Sequence, residues 1–248
     1  MTHPGTVLVT GGSRGIGAAI VRLAAAAGYD VCFTFREQQD AAQALVREVQ
    51  AMGRHALGLQ ADLADERAAE RVFEQADVLP QPVTALVNNA GITGPIAPFT
   101  ATTAATMRRV LDVNVMGTML FSQQAVGRWL ADGAAGVIVN LSSVAATLGA
   151  PNEYVHYAAS KAAVEGFTVG LAREVAARGI RVNAVSPGTA LTDIHATAGE
   201  PDRPARVAAK VPMGRVAQAE EIAEAVIWLL SAKAGYVTGT VLRVAGGL

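Results

Sequence analysis

The chain has 248 residues, 51% of them hydrophobic, and a formal net charge of −1. This length is enough for a deep core within one α/β domain, and the near-zero charge argues against a nucleic acid or an anionic membrane surface as partner. The one cysteine in the sequence cannot form a disulfide within the chain, and no apolar stretch reaches the ~18 residues of a membrane span.

The first residues and the histidines narrow the possible functions further. The chain runs directly into a strand-like segment at Thr6, without a basic and apolar leader, so a cytoplasmic location is expected. No metal site is predicted, because the histidines lack the spacing of metal ligands. The four histidines are His3, His55, His156 and His195.

Short β-type segments alternate with longer helical ones, the pattern of a parallel sheet with crossover helices. The predicted strands are Thr6–Thr10, Val31–Phe35, His55–Gln60, Thr84–Asn88, Gly136–Leu141, Ile180–Val185 and Thr240–Val244. The predicted helices are Gly15–Ala27, Ala41–Met52, Glu66–Val78, Thr103–Leu130, Val155–Arg178 and Glu220–Ser231. The sequence thus predicts one doubly wound α/β domain over residues 1–248. A polar, proline-containing segment at about 189–213 is expected to form a mobile lid.

A glycine cluster follows the first predicted strand, with Gly11, Gly15 and Gly17 in the pattern T-G-x-x-x-G-x-G. In such sheets ligands bind at the carboxyl ends of the strands. Glycines there allow a tight turn and let the backbone approach a pyrophosphate at the following helix N-terminus. Ordinary strand-to-helix turns also use glycine. The pattern favours nucleotide binding without establishing it.

Tyr157 and Lys161 are four residues apart in a predicted helix. This spacing places both side chains on one helix face. A fixed cation beside a phenol favours the phenolate and lowers its pKa, and a phenol tuned in this way is a competent general acid or base. The same spacing also arises by chance on surface helices, so its interpretation depends on the rest of the sequence.

Several ordered motifs together resemble those of the short-chain dehydrogenases/reductases, over essentially the full length of the chain. These motifs are Thr10-Gly11-x-x-x-Gly15-x-Gly17, Asn88-Asn89-Ala90-Gly91, Asn114, Ser142-Ser143, Tyr157-x-x-x-Lys161 and Pro187-Gly188. The resemblance implies a Rossmann-type parallel sheet of about seven strands with helices on both faces. It also implies a nicotinamide cofactor and assembly as a homotetramer.

The resemblance assigns catalytic roles to four residues. Tyr157 resembles the family's acid/base, and Lys161 the residue that lowers the phenol pKa and binds the nicotinamide ribose. Ser143 would hold the substrate oxygen. Asn114 would support a water relay from Lys161 to solvent. Taken singly, Ser143 could equally be a strand-end cap and Asn114 a satisfied buried amide.

Two departures from the family pattern are visible. Ser143 lies fourteen positions before Tyr157, where the family commonly has thirteen, and the extra residue is expected to reshape the pocket rim. Ser142 is the alternative, but neighbouring strand residues face opposite sides, so only one of the two serines can serve. Ala245 stands where many bacterial members have Asp, which bears on C-terminal packing and assembly.

The cofactor preference is predicted from charge after the second strand. NAD sites place an acid there for the ribose 2′-hydroxyl, whereas NADP sites supply Arg for the 2′-phosphate. Here Phe35 stands in the acid's place, Arg36 follows, and Arg14 lies in the glycine turn, which favours NADP(H) over NAD(H). Arg36 could instead be a solvated side chain beside Glu37.

The full set of residues expected to contact the cofactor comes from the resemblance. It comprises Gly11, Ser13, Arg14, Gly15, Ile16, Gly17, Arg36, Asp62, Leu63, Asn89, Ala90, Gly91, Tyr157, Lys161, Pro187, Gly188 and Thr192.

The expected function is NADP(H)-dependent hydride transfer between nicotinamide and a small carbonyl or alcohol substrate. The expected pocket wall is small or apolar, which argues against a strongly anionic substrate. A 3-oxoacyl-[acyl-carrier-protein] reductase, a sugar dehydrogenase and a ketone or steroid reductase remain alternatives within the family. A non-catalytic nucleotide-sensing regulator is the alternative of another class. It is disfavoured because such proteins typically lose the Tyr or Lys, and both are present.

Overall fold

A parallel seven-stranded sheet lies at the centre of the computed structural model, which describes residues 4–192, 196 and 198–248. The strands are β1 (Thr6–Val9), β2 (Asp30–Phe35), β3 (Ala56–Gln60), β4 (Val83–Asn88), β5 (Gly136–Leu141), β6 (Ile180–Pro187) and β7 (Val241–Val244). Their order is β3-β2-β1-β4-β5-β6-β7, and all neighbouring pairs are parallel. The order reverses between β1 and β4, which is where open α/β sheets bind their ligands.

Helices connect the strands. The α-helices within the described residues are α1 (Gly15–Ala26), α2 (Gln39–Ala51), α3 (Ala68–Ala76), α4 (Ala104–Leu111), α5 (Gly117–Ala131), α6 (Ala145–Leu148), α7 (Val155–Val175), α8 (Arg203–Ala208) and α9 (Ala219–Leu230). The α/β architecture expected from the sequence, with about seven parallel strands, is confirmed.

The core lies on both faces of the sheet. Alternating side chains of β1 point to opposite faces, so Val7 and Val9 pack with residues of α1 and α9, whereas Leu8 packs with residues of α3 and α5. All three are fully buried. The continuous apolar sequence of β1 is the pattern expected for a strand covered on both faces.

The helix predicted over Thr103–Leu130 is not a single regular α-helix. A π-helical turn, Asp112–Met116, separates α4 from α5, with the fully buried Asn114 at its centre. The hydroxyl of Thr118 donates to the carbonyl oxygen of Asn114 at 2.8 Å, so a side chain satisfies part of the irregular backbone. Such turns are rare and often lie at functional sites.

Other differences from the predicted elements lie close to the carboxyl edge of the sheet. β6 continues to Pro187, two residues beyond its predicted end, because Ser186 and Pro187 pair with β7. Helix α8 lies within the segment predicted to be irregular, and α6 was not predicted. Residues 193–195 and 197 of the expected lid, like His3 and His195, lie outside the described residues, and the lid's mobility stays a prediction.

Candidate active site

A cavity of about 450 Å³ opens at the carboxyl ends of the strands, around the switch point between β1 and β4. Every residue predicted to contact the cofactor lines it, and so does Ser143. Asn114 is the exception among the predicted site residues, because it is fully buried behind the cavity wall.

The glycine turn forms one end of this cavity. Gly11 and Gly15 have positive φ angles of 66° and 52°, which other residues rarely adopt. A Cβ on Gly17 would lie 2.1 Å from the carbonyl oxygen of Gly11, so no larger residue fits there without moving the turn. The backbone N–H of Gly11 donates to the hydroxyl of Thr34 at 3.0 Å, which anchors the turn to β2.

Thr10 and Asn89 hold the turn against β4. The amide nitrogen of Asn89 donates to the carbonyl oxygens of Thr10 and Gly11 at 3.0 and 2.9 Å. The hydroxyl of Thr10 accepts from the backbone N–H groups of Asn89 and Ala90 at 3.0 and 3.1 Å. Asn89 therefore uses its side chain to shape the turn while it lines the cavity.

Two arginines, Arg14 and Arg36, line the cavity next to the end of β2. Arg14 is exposed at the N-terminus of α1, and Arg36 is half exposed and ion-paired with Glu37. The structure thus shows Arg36 both lining the cavity and partly solvated. A phosphate at this edge would compete with Glu37 for the guanidinium.

Asp62 is held by an arginine that the sequence pattern did not single out. Arg109 of α4 donates to both carboxylate oxygens of Asp62 at 2.8 Å. Burial raises the pKa of Asp62, but the hydrogen bonds from Arg109 and from a backbone N–H outweigh it and hold the pKa below its ordinary value. The carboxylate is therefore charged and fixed in orientation at the cavity wall.

Tyr157 and Lys161 lie at the opposite end of the cavity, both buried on α7. The ammonium nitrogen of Lys161 is 5.7 Å from the centre of the Tyr157 ring and donates to the carbonyl oxygen of Leu141 at 2.7 Å. Of the two candidate serines, Ser143 is the one whose hydroxyl acts on the phenol, because it opposes the rise in the pKa of Tyr157. Ser142 instead donates to Glu165 at 2.7 Å.

The loop before α7 accommodates the extra residue between Ser143 and Tyr157. Gly149, Ala150 and Asn152 all have positive φ angles, of 78°, 46° and 61°. Left-handed conformations are uncommon for residues with a Cβ, so this loop is unusually bent. The bend takes up the extra residue while Ser143 and Tyr157 both line the cavity.

The prediction that Lys161 lowers the pKa of Tyr157 is wrong, because the net shift of this pKa in the structure is upward. Burial raises the pKa of Tyr157 above its ordinary value, and the Ser143 hydrogen bond and the Arg203 cation oppose this only in part. Burial likewise lowers the pKa of Lys161 to about 8. Both shifts share one cause, since a buried site disfavours the charged form of either group.

Asn114 is tied to the loop after β4. Its side-chain nitrogen donates to the carbonyl oxygen of Ile92 at 2.9 Å and to Ser160 at 3.0 Å, and its oxygen accepts from the Ile92 N–H at 2.9 Å. A Cβ on Gly91 would lie 3.3 Å from the Lys161 nitrogen and 3.4 Å from the Asn114 side-chain oxygen. Asn114 is thus a satisfied buried amide that also lies close to Lys161.

The segment after β6 closes the side of the cavity. The carbonyl oxygen of Pro187 accepts from Val144 N–H at 2.9 Å, and Gly188 N–H donates to Val244 at 2.9 Å. A Cβ on Gly15 would lie 3.2 Å from a methyl carbon of Thr192, so this segment reaches across to the glycine turn.

Comparisons with known proteins agree with this geometry. A family model described as enoyl-(acyl carrier protein) reductase matches residues 11–248. The uncharacterized oxidoreductase YgfF of Escherichia coli (strain K12) is 48% identical over 97% of this chain and 98% of its own length. A blue fluorescent protein from a metagenomic library, crystallised in complex with NADPH, is 40% identical, with a TM-score of 0.89 over 98% of this chain and 97% of that chain. A short-chain type dehydrogenase/reductase from Mycobacterium marinum is 31% identical, with a TM-score of 0.91 over 98% of this chain and 94% of that chain.

The chain belongs to the short-chain dehydrogenase/reductase family. As a member it is an oxidoreductase that acts on hydroxyl or carbonyl groups with a nicotinamide cofactor. Within the residues described, no helix is both long and apolar enough to cross a membrane.

The substrate end of the cavity contains an ion pair that the sequence did not predict. Glu153 and Arg203 both line the cavity and form an ion pair at 2.7 Å. The expectation of a pocket wall with few charges is therefore incomplete, although the two charges neutralise each other. Arg203 lies 50 residues after Glu153, and no local pattern signals this pairing.

Proposed function

We propose that this short-chain dehydrogenase/reductase is an NADP(H)-dependent carbonyl reductase or alcohol dehydrogenase in which Tyr157 is the acid/base. One observation carries the proposal. Ser143, Tyr157 and Lys161 line the same cavity as the glycine turn and Arg36. A single ligand spanning the cavity would touch both sets.

The residues present fit a dinucleotide. A Cβ on Gly17 would clash with the carbonyl oxygen of Gly11, and one on Gly91 would lie 3.3 Å from the Lys161 nitrogen, so glycine is needed at both positions to keep the cavity wall in this shape. The glycine turn would hold the pyrophosphate at the start of α1, and Arg14 and Arg36 would meet a 2′-phosphate. Once bound, the nicotinamide supplies or accepts the hydride.

Tyr157 is suited to protonating a carbonyl oxygen. Because burial raises its pKa, the phenol stays protonated at neutral pH and can donate its proton to the oxygen that becomes the alcohol. The hydroxyl of Ser143 would hydrogen-bond the same oxygen. Lys161 would return a proton to the phenolate and would be reprotonated from solvent through a water relay that Asn114 supports. Oxidation of an alcohol needs the phenolate, so it is favoured at high pH.

The preference for NADP(H) over NAD(H) is supported by the cations at the β2 edge. Arg14 and Arg36 both line the cavity, whereas the acid typical of NAD sites is replaced by the buried Phe35. The blue fluorescent protein that resembles this chain was crystallised in complex with NADPH.

We propose an uncharged, apolar carbonyl compound as substrate. The walls near Tyr157 include Ile96, Leu148, Ala150 and Tyr154, and the Arg203 cation there is paired with Glu153. A 3-oxoacyl-[acyl-carrier-protein] reductase is the second candidate. The 35% identity of this chain to the 3-oxoacyl-[acyl-carrier-protein] reductase FabG of Staphylococcus aureus favours it.

We propose a homotetramer. Leu111 and Met116 are exposed at the junction of α4 and α5, and Gly166 and Gly170 leave an exposed face of α7 without side chains. Light scattering should give about four times the chain mass of 25.5 kDa. A monomer would contradict the proposal. The cytoplasmic location expected from the sequence stays a prediction.

Reduction of 2-decalone and an acetoacetyl thioester with NADPH or NADH, together with oxidation of glucose with NADP+ or NAD+, tests the function. The proposal expects NADPH-dependent reduction of 2-decalone that is abolished in Tyr157→Phe. Reduction of the thioester alone would favour the second candidate. Tight NADPH binding without Tyr157-dependent turnover of any carbonyl would contradict both.

A further inference from the structure

Arg203, the first residue of α8, lies inside the substrate end of the cavity, with only 12% of its side chain exposed. Its guanidinium carbon lies 5.3 Å from the centre of the Tyr154 ring. A guanidinium at this distance from an aromatic face is attracted by the ring, most strongly where both groups are shielded from water. Tyr154 is itself buried.

Glu153 fixes the position of this arginine. One carboxylate oxygen of Glu153 accepts from two nitrogens of Arg203, at 3.2 and 2.7 Å. The other accepts from Arg206 at 2.9 Å. Burial raises the pKa of Glu153, but the two arginines outweigh it and keep the pKa below its ordinary value. The carboxylate is therefore charged, and the charge of Arg203 is already matched within the protein.

Tyr154 connects Arg203 to the catalytic phenol. The rings of Tyr154 and Tyr157 meet edge to face, with centres 5.3 Å apart and planes at 84°. Arg203, Tyr154 and Tyr157 thus form one continuous row of contacts along the cavity wall, built from α8, the loop before α7 and α7 itself. Neither tyrosine ring can shift far without disturbing its neighbour.

We propose that Arg203 is a positioning residue for the reaction. It holds the Tyr154 ring against the Tyr157 ring and so fixes the orientation of the Tyr157 phenol toward the substrate. The inference rests on the proposed function of Tyr157. The guanidinium of Arg203 is already hydrogen-bonded to Glu153 and packed against the Tyr154 ring. Arg203 therefore acts through Tyr154 and is not a ligand for an anionic substrate. The ion pair with Glu153 joins α8 to the loop that precedes the catalytic helix.

The chain offers a matched control. Arg206 also pairs with Glu153, but it is half exposed and does not line the cavity. Arg203→Met and Arg206→Met each remove one arginine from the same carboxylate. Arg203→Lys keeps a cation near Tyr154 but loses the two-nitrogen contact with Glu153.

Steady-state reduction of 4-methylcyclohexanone and 4-oxocyclohexanecarboxylate with NADPH tests the proposal. These ketones differ chiefly in a neutral methyl group versus a carboxylate. We expect Arg203→Met to lower kcat for both by roughly tenfold or more, since small misplacements of reacting groups are costly. Arg203→Lys should recover part of the loss, and Arg206→Met should match wild type. The Kd for NADPH, measured by fluorescence, should be unchanged in all three variants.

The pH profile of alcohol oxidation gives a readout that a purely structural role would not move. The titratable and charged groups around Tyr157 are Lys161 on α7, Glu153 and Tyr154 before it, and Arg203 on α8. The Arg203 cation favours the phenolate. Removing it should therefore move the rise in kcat/KM to higher pH, whereas Arg206→Met should leave the rise in place.

Two results would overturn the proposal. Equal kcat values and pH profiles in Arg203→Met and Arg206→Met would show that Arg203 does not position the phenol. A loss confined to 4-oxocyclohexanecarboxylate would show that Arg203 binds an anionic substrate instead. If the proposed function itself were wrong, Tyr157→Phe would retain the turnover of wild type. This result distinguishes a failure of the proposed function from a failure of the proposal for Arg203.

Discussion

The ammonium nitrogen of Lys161 lies 5.7 Å from the centre of the Tyr157 ring, one helical turn further along α7. Burial shifts the pKa values of these two groups in opposite directions. It raises the pKa of the phenol and lowers that of the ammonium to about 8. The structure therefore pairs a protonated phenol with an ammonium that can release a proton near physiological pH, which suits proton delivery to a carbonyl.

The low pKa of Lys161 should make the stability of the protein depend on pH. Below about pH 8, Lys161 is protonated in both the folded and the unfolded chain, so the fold carries the full cost of burying the charge. As the pH rises from about 8 to the ordinary value of 10.5, the folded chain loses the proton first and this cost disappears. Stability should rise across this window.

Urea unfolding of wild type and Lys161→Met measures this effect. The free energy of unfolding of wild type should rise relative to the variant by up to about 3 kcal/mol between pH 8 and pH 10.5. In the variant the carbonyl oxygen of Leu141 loses its hydrogen-bond donor, which changes the free energy of unfolding by the same amount at every pH. A difference that stays constant over this window would contradict the lowered pKa.

Ser143→Ala should lower kcat for carbonyl reduction roughly 10²- to 10³-fold, because a hydrogen-bond donor to the reacting oxygen is lost. Ser142→Ala is the matched control, since Ser142 bonds Glu165 and not the phenol. It should keep kcat and lose about 1 kcal/mol of stability. A larger loss of kcat in Ser142→Ala than in Ser143→Ala would show that Ser142, and not Ser143, binds the reacting oxygen.

Arg36→Ala should weaken NADPH binding roughly 10- to 100-fold and leave NADH binding nearly unchanged, since a charged hydrogen bond to the 2′-phosphate is removed. Calorimetric titration of each cofactor measures the effect. Arg22→Ala serves as the control, because Arg22 is an ion-paired arginine that does not line the cavity. Equal losses for both cofactors in Arg36→Ala would reject the predicted preference.

Gly17→Ala should abolish NADPH binding and destabilise the fold, because its Cβ would lie 2.1 Å from the carbonyl oxygen of Gly11. Gly127→Ala makes the same change within α5, at an exposed site where a Cβ meets nothing within 4 Å. It should stabilise the protein by about 0.5–1 kcal/mol. If Gly17→Ala bound NADPH normally, the glycine turn would not be the pyrophosphate site.

Much of the fold could be predicted because its signals are local. Apolar periodicity indicates the strands and helices, and the glycines after β1 and the spacing of Tyr157 and Lys161 are read directly from the sequence. The π-helical turn at Asn114 was missed, because Val113 and Val115 look like ordinary helical residues. Backbone irregularity of this kind depends on tertiary contacts such as those of Asn114 with Ile92 and Ser160.

The energetics of the site could not be predicted for a related reason. Arg109 meets Asp62 across 47 residues and Arg203 meets Glu153 across 50, so neither contact leaves a local pattern. The sequence suggested a cation that lowers the pKa of Tyr157. The net shift depends on how deeply the fold buries the phenol, which spacing alone does not reveal.

Transfer of deuterium from 4,4-dideuterated NADPH to 2-decalone, followed by mass spectrometry in wild type and Tyr157→Phe, is the decisive measurement. Wild type should give the singly deuterated alcohol. Tyr157→Phe should bind NADPH with the same Kd yet form the alcohol roughly 10²- to 10⁴-fold more slowly. Equal rates of deuterated product in both proteins would contradict the role of Tyr157 as the proton donor.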